Sequence, residues 1–302
     1  MSEKQSRLVI SVDLDEWYHA RWATGSATSR WKDSRAFFKE VYGTDRPRGD
    51  IERPTQEILD LFDAYGVKAT FFVLGEVAGY YPHLVKEISN RNHEVACHSY
   101  RHIDLWLHTR ESFRRELRQA KAALEDLAGR SVLGFRAPNL IIEDWIVPVL
   151  AEEGFLYDSS VCPSRKLMGK FGNNQDLPQY PYRLSADSFS PGSGKIVEIP
   201  IPVFPYLRLP AASGIATRVI GRRWTTIALK QSLKAGDSLY YFHPYELTEP
   251  PQISGLTVYQ RLFMRRAGAW MIGTLKNMLS GFSKVPKATC ADVAGTFGEG
   301  KP

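Results

Sequence analysis

Short apolar runs alternate with longer amphipathic stretches along most of the chain, the pattern of a largely parallel sheet covered by helices. Leu8–Val12 reads as a buried strand that ends in Asp13-Leu14-Asp15-Glu16. Pro54–Tyr65 reads as a helix with Ile58, Leu59, Leu61 and Phe62 apolar, stopped by Gly66. Val67–Leu74 is strand-like, and Tyr81–Asn90 is a short helix started by Pro82. A brief alternation (Val95, Cys97) then delivers His98, followed by His102. Thr109–Ala128 carries Phe113, Leu117, Ala120, Leu124 and Leu127 at helical spacing. Val132–Phe135 is a strand running into Arg136-Ala137-Pro138-Asn139, Trp145–Glu153 a helix, and Phe155–Tyr157 a strand delivering Asp158.

Beyond residue 158 the pattern weakens. Residues 159–195 are rich in Pro, Gly and Ser, and 197–203 are extended but interrupted by proline. Ile215–Leu233 is expected to be one helix, Ser238–Phe242 a strand delivering His243, and Tyr259–Phe282 one long helix, apolar on one side and basic on the other. Residues 286–302 are expected to form a flexible tail. Residues 19–53 lack strong periodicity and read as a long loop, the kind that often serves as a lid or binding loop. No linker divides the chain, so one domain is expected over 1–285, with its core at 7–250 and a helical extension at 259–282.

Composition narrows the class. The 302 residues are 43% hydrophobic, ordinary for a globular protein with a sizeable core. Three distant cysteines form neither a disulfide framework nor a thiolate metal site. The N-terminus shows no signal-peptide core, and no run reaches the roughly eighteen apolar residues of a membrane span. These features set cytoplasmic localisation as the expectation, with the inner membrane face as a variant. The net charge of +6 is uneven: Arg208 onward holds 13 basic and 5 acidic residues, against 26 and 28 before it. A basic C-terminal part suits an anionic partner such as a membrane surface or a phosphorylated substrate; a merely solvated basic surface explains it equally. No nucleic-acid partner is expected.

Asp13, His98, Arg136, Asp158 and His243 all stand at the C-terminal ends of strands, where barrels place their chemistry. Asp15, His98 and His102 supply one carboxylate and two imidazoles for a divalent metal with an open position. Glu16 is the competing carboxylate. Asp13 can act as general base and His243 as the acid that protonates a leaving amine, the pairing amide hydrolysis needs. Arg136 can hold Asp13 ionised, Asp158 can hold His243 protonated, and the Asn139 main-chain amide can face an oxyanion. His93 reads as structural, His83 and His108 as surface residues, and Cys97 as pointing away from His98. His19 is close enough in sequence to reach the site.

These segments resemble the motifs of the polysaccharide deacetylases of carbohydrate esterase family 4, the NodB homology domain, and within it the exopolysaccharide-locus subfamily. Ser11–Asp15, His98–His102, Arg136–Asn139, Tyr157–Ser160 and Tyr240–Pro244 match in order, and Gly66–Gly75 also looks like family sequence. The resemblance implies a distorted (β/α)7 barrel and a metal-dependent hydrolase removing N-acetyl groups from a sugar in surface polysaccharide biosynthesis. Zinc is the implied ion, with cobalt or nickel as alternatives. Asn139, Pro138, Tyr241 and Trp17 are the implied substrate-side residues, although Trp17 reads first as pinning its loop. The substrate is expected to be nucleotide-linked, lipid-linked or polymeric. Leu14 separates two aspartates that are often adjacent in the family, the usual Trp after Asp158 is missing, and Tyr241 replaces a leucine. Tyr241 and the missing Trp motivate one alternative, a deformylase or other deacylase of a lipid-linked aminosugar; the other, a catalytically silent carbohydrate-binding barrel, is opposed by the complete set of Asp13, Asp15, His98, His102, Arg136 and His243.

Overall fold

The computed structural model describes residues 5–167 and 171–298. Strand β1 (Leu8–Leu14) is an inner strand next to one end of the sheet, and all seven of its residues are buried, as expected of a parallel strand covered on both faces. The chain then makes α1 (Ser34–Phe37), α2 (Glu52–Ala64), β2 (Thr70–Val73), α3 (Gly75–Tyr80), α4 (Pro82–Asn90) and β3 (Glu94–Cys97). Next come α5 (Arg110–Ala128), β4 (Gly134–Phe135), α6 (Ile146–Glu152) and β5 (Tyr157–Asp158). The second half adds β6 (Tyr182–Arg183), β7 (Val197–Glu198), β8 (Val203–Phe204), β9 (Leu209–Pro210), α7 (Gly214–Val219), α8 (Arg222–Ala235) and β10 (Ser238–Phe242). It closes with α9 (Val258–Met264), α10 (Ala269–Gly281), β11 (Lys287–Ala288) and α11 (Cys290–Gly295).

Seven strands run parallel in the order β10-β1-β2-β3-β4-β5-β7, with β6 antiparallel on β7 at one end. This is the distorted (β/α)7 barrel that the motifs imply. Helix α5 shows why the periodic segments fold as read. Thr109 caps it in a capping box with Ser112, Phe113, Leu117, Ala120 and Leu124 are buried, and Gly129 ends it at φ 66°.

Three expectations need correction. The helix expected over 215–233 is two helices, because Gly221 adopts φ 137° between α7 and α8. The helix expected over 259–282 is likewise broken, at Gly268 with φ 72°. The tail expected to be flexible from residue 286 is built into the fold up to Gly298, while residues 299–302 lie outside the described part. Strand β11 pairs with Leu8 and Val9 of β1. The Cys290 amide donates to Thr70 Oγ1 at 2.8 Å and the Ala291 amide to Glu94 at 3.1 Å. Cys290 and Val293 are buried, so the segment covers the end of the sheet opposite the strand tips that carry Asp13 and His98.

Residues 19–53 contain short helical turns and their own small core, in which Trp31, Phe37, Phe38 and Tyr42 pack around Tyr18. Gly25 brings this loop against the His102 main chain: its carbonyl accepts the Asp104 amide at 2.8 Å, and a Cβ there would lie 1.8 Å from the His102 oxygen.

Candidate active site

The strand tips deliver Asp13, Asp15, His98, Arg136 and His243 to one buried cluster. The donor atoms of Asp15, His98 and His102 all lie within 4.8 Å of one another. His102 Nε2 is 3.3 Å from Asp15 Oδ2, and His98 Nε2 is 3.9 Å from Oδ1. His98 Nδ1 donates to the Arg136 carbonyl at 2.8 Å, which leaves the Nε2 lone pair directed at the cluster. Buried Asp15 Oδ1 finds no hydrogen-bond partner among the described residues. Burial alone would raise the Asp15 carboxyl, but the neighbouring His102, His98 and His19 outweigh it and bring it to about 2. Burial likewise pushes the His102 imidazole down to about 3 against the pull of Asp15. An ionised carboxylate beside the neutral His102 imidazole, with His98 Nε2 turned toward them, suits a divalent ion, so these residues fit a metal.

Glu16 does not share this position. It is not part of the cluster, and burial lifts its carboxyl to about 8 despite the nearby Tyr81 hydroxyl. His19 is close but otherwise engaged: Nδ1 accepts the Glu16 amide at 3.1 Å and Nε2 faces Glu76 at 3.6 Å, while its ring lies 5.7 Å from that of His102.

Asp13 is held by Arg136, whose Nη1 donates to Oδ1 at 2.5 Å. Arg136 is fully buried and is fixed by Ser11 Oγ, Ser159 Oγ and the Ser159 carbonyl, with its guanidinium over the Phe72 ring at 3.9 Å. Asp13 Oδ2 is 3.9 Å from His243 Nε2, too far for a hydrogen bond, so the two groups face each other across a gap.

The expected partner of His243 is wrong. Asp158 accepts from the Ser160 amide and hydroxyl at 2.8 and 2.9 Å, and its other neighbour is the buried Glu198 carboxyl. His243 Nδ1 instead donates to Glu246 Oε1 at 2.8 Å. Glu246 is fully buried and takes a second hydrogen bond from Arg218 Nε at 2.5 Å. Burial disfavours the imidazolium, yet the Glu246 hydrogen bond and charge, with Asp13 and Asp15, raise His243 above its ordinary value. For Glu246 burial acts upward, and Arg218 with His243 outweighs it, so it stays ionised. Sequence reasoning missed both residues. The three-residue step from His243 to Glu246, a capping-box spacing, was the available signal.

The other expected residues border the cluster. Trp17 donates from Nε1 to Thr248 Oγ1 at 3.1 Å and packs on Tyr245 at 4.6 Å, and Tyr245 stacks on His243 at 4.7 Å. Trp17 therefore pins the loop and supports His243. Tyr241 lies 5.6 Å from the His243 ring and 5.2 Å from the Arg136 guanidinium. Pro138 is buried, and Asn139 adopts φ 56° with its side-chain amide donating to Asp104 at 2.8 Å.

Residues 45–157 match the polysaccharide deacetylase family model, and residues 159–289 match that of a domain of unknown function, DUF3473. A peptidoglycan-N-acetylglucosamine deacetylase of Bacillus cereus is 37% identical over 120 residues, covering 35% of this chain and 44% of that protein. A chitooligosaccharide deacetylase of Sinorhizobium fredii is 35% identical over 101 residues, covering 33% and 47%. A peptidoglycan deacetylase-like protein of Gibberella zeae is 28% identical over 209 residues, covering 66% and 58%. The chain thus spans about half the length of these relatives. A Mycobacterium smegmatis structure described as a candidate polysaccharide deacetylase superposes with TM-score 0.64 at 19% identity, covering 98% of this chain and 92% of that one. A family 4 pseudoenzyme of Bacillus anthracis shares the fold at TM-score 0.52 and 12% identity, covering 96% and 66%, so fold alone carries no activity. The family matches, the seven-stranded parallel sheet and the ordered motifs together make this chain a member of the NodB-type polysaccharide deacetylases.

Proposed function

We propose that the protein is a metal-dependent N-deacetylase of an N-acetylated aminosugar in a surface glycan or its precursor. The observation that carries this reading is the gap between Asp13, clamped by Arg136, and His243, clamped by Glu246, beside the Asp15/His98/His102 cluster. A silent carbohydrate-binding barrel would have no need of a matched buried base and acid.

Asp15, His98 and His102 would hold the ion, and zinc suits one carboxylate and two imidazoles. When bound, the ion supplies Lewis acidity, acidifying a water and polarising the acyl oxygen. Arg136 occupies Oδ1 of Asp13 and fixes the carboxylate's orientation, so Oδ2 accepts the proton of the attacking water. The water oxygen bonds to the acyl carbon. His243 then delivers its Nε2 proton to the departing amine as the C–N bond breaks. Glu246 favours the protonated imidazole by accepting from Nδ1–H. Acetate and a free amino sugar are the products. Tyr241, adjoining both His243 and Arg136, narrows this region and favours a small acyl group, acetyl or formyl.

The reading is tested by stripping the protein with a chelator, reloading it with zinc, cobalt or nickel, and measuring acetate and formate from matched N-acyl chitooligosaccharides. Acetate released only after reloading supports it. Formate exceeding acetate transfers the assignment to a deformylase. Neither acid with any ion removes the hydrolase reading.

A further inference from the structure

We propose that the outward face of α9, with Trp270 at the start of α10, docks on an anionic lipid bilayer. From Pro250 to Ala291 the chain contains no Asp or Glu and six Arg or Lys. Within this acid-free stretch, Val258 is 80% exposed, Tyr259 44%, Leu262 38% and Trp270 36%. Val258 and Leu262 are one helical turn apart, and exposed Arg261 and Arg265 form a parallel row beside them. Apolar and aromatic side chains flanked by arginines, with Glu249 beside Gly268 as the acid at their border, are what a helix lying in a negatively charged interface presents. A solvated basic face would not need four large apolar side chains in water.

The neighbouring elements extend this character. α7 packs on α9, and the turn after α7 exposes Ile220 beside Arg222 and Arg223. The face is also firmly set. Arg218 donates to the Phe263 and Arg265 carbonyls at the end of α9, and Arg266 donates back to the Arg218 carbonyl while covering the Trp270 ring at 5.3 Å. This is the same Arg218 that holds Glu246. Ile253 and Leu256, just before α9, pack with Trp17 and Tyr245 against the His243 side of the site. A bilayer bound by α9 therefore lies next to the catalytic acid, which suits a substrate carried on an anionic lipid. That last step rests on the deacetylase reading; the docking itself does not.

The test is co-sedimentation of the full chain with vesicles of phosphatidylcholine alone or mixed with phosphatidylglycerol, using two variants, Val258→Asp/Leu262→Asp and Arg261→Glu/Arg265→Glu. The parent is expected to bind the anionic vesicles about tenfold more tightly than the neutral ones, with the preference falling as salt rises. Each double variant is expected to lose most of that binding while keeping its melting temperature and its acetate release from a water-soluble chitooligosaccharide. Equal binding to both vesicle types, or binding unchanged in both variants, overturns the proposal. Anionic-vesicle binding by a protein that releases no acetate would keep the docking surface and remove only the deacetylase reading.

Discussion

Glu246→Gln keeps the shape of the side chain facing His243 and removes its charge. In the parent, the Nδ1 hydrogen bond of 2.8 Å is made in a fully buried setting. A hydrogen bond to a charged partner contributes about 1.5–3 kcal/mol, which corresponds to about one to two pH units in the affinity of His243 for its proton. The sign follows from the direction of the shift. Glu246 stabilises the imidazolium, so its loss lets the proton leave at lower pH. The basic limb of the pH dependence of kcat/KM for acetate release should move down by about one to two units, measured from about pH 5 to pH 9. Well below both limbs, where His243 is protonated in either protein, the rates should converge. The same change leaves buried Arg218 without its carboxylate, at a stability cost of about 3–5 kcal/mol. Glu246→Gln combined with Arg218→Met removes that unpaired charge and should recover stability without restoring the limb. A basic limb that stays in place in a folded variant would refute the assignment of Glu246 as the positioning residue of His243.

Two further predictions follow from the packing. Gly25→Ala places a methyl 1.8 Å from the His102 carbonyl oxygen at a backbone φ of 79°, so the His102 loop must shift; metal affinity measured by calorimetry should fall about 10–100-fold, and an unchanged affinity would show that the loop does not support the ligand. Truncation after Val285 removes the pairing of Lys287–Ala288 with β1 and the buried Cys290 and Val293; it should cost about 3–6 kcal/mol, read as a lower urea midpoint, whereas a truly loose tail would leave the midpoint unchanged.

The parts of the site legible in the sequence are those delivered directly by apolar strands. Leu8–Leu14, Glu94–Cys97 and Ser238–Phe242 are recognisable by their buried pattern, and Asp13, Asp15, His98 and His243 sit at or just beyond their ends. The support of His243 was not legible in the same way. Arg218 lies on a helix 28 residues from Glu246 in sequence, and only the fold brings them together. Asp158 looked suited to hold His243 because it ends a strand, but Ser160 and the neighbouring strand residue Glu198 occupy its oxygens. The two overlong helices had readable breaks in Gly221 and Gly268, which the run of apolar periodicity across them concealed. The C-terminal segment could not be read at all from pattern, since β11 is only two residues long and takes its place from the edge of β1.

The central claim is that Asp13 and His243 act as base and acid on an N-acetyl group beside the Asp15/His98/His102 cluster. The most direct measurement is acetate release from an N-acetylated chitooligosaccharide by the zinc-loaded parent and by Asp13→Asn, with metal content measured on both. The account predicts acetate from the parent, a rate lower by about 10²–10⁴-fold in Asp13→Asn, and equal metal content in the two proteins. An Asp13→Asn protein that holds its metal and releases acetate at the parental rate would contradict it.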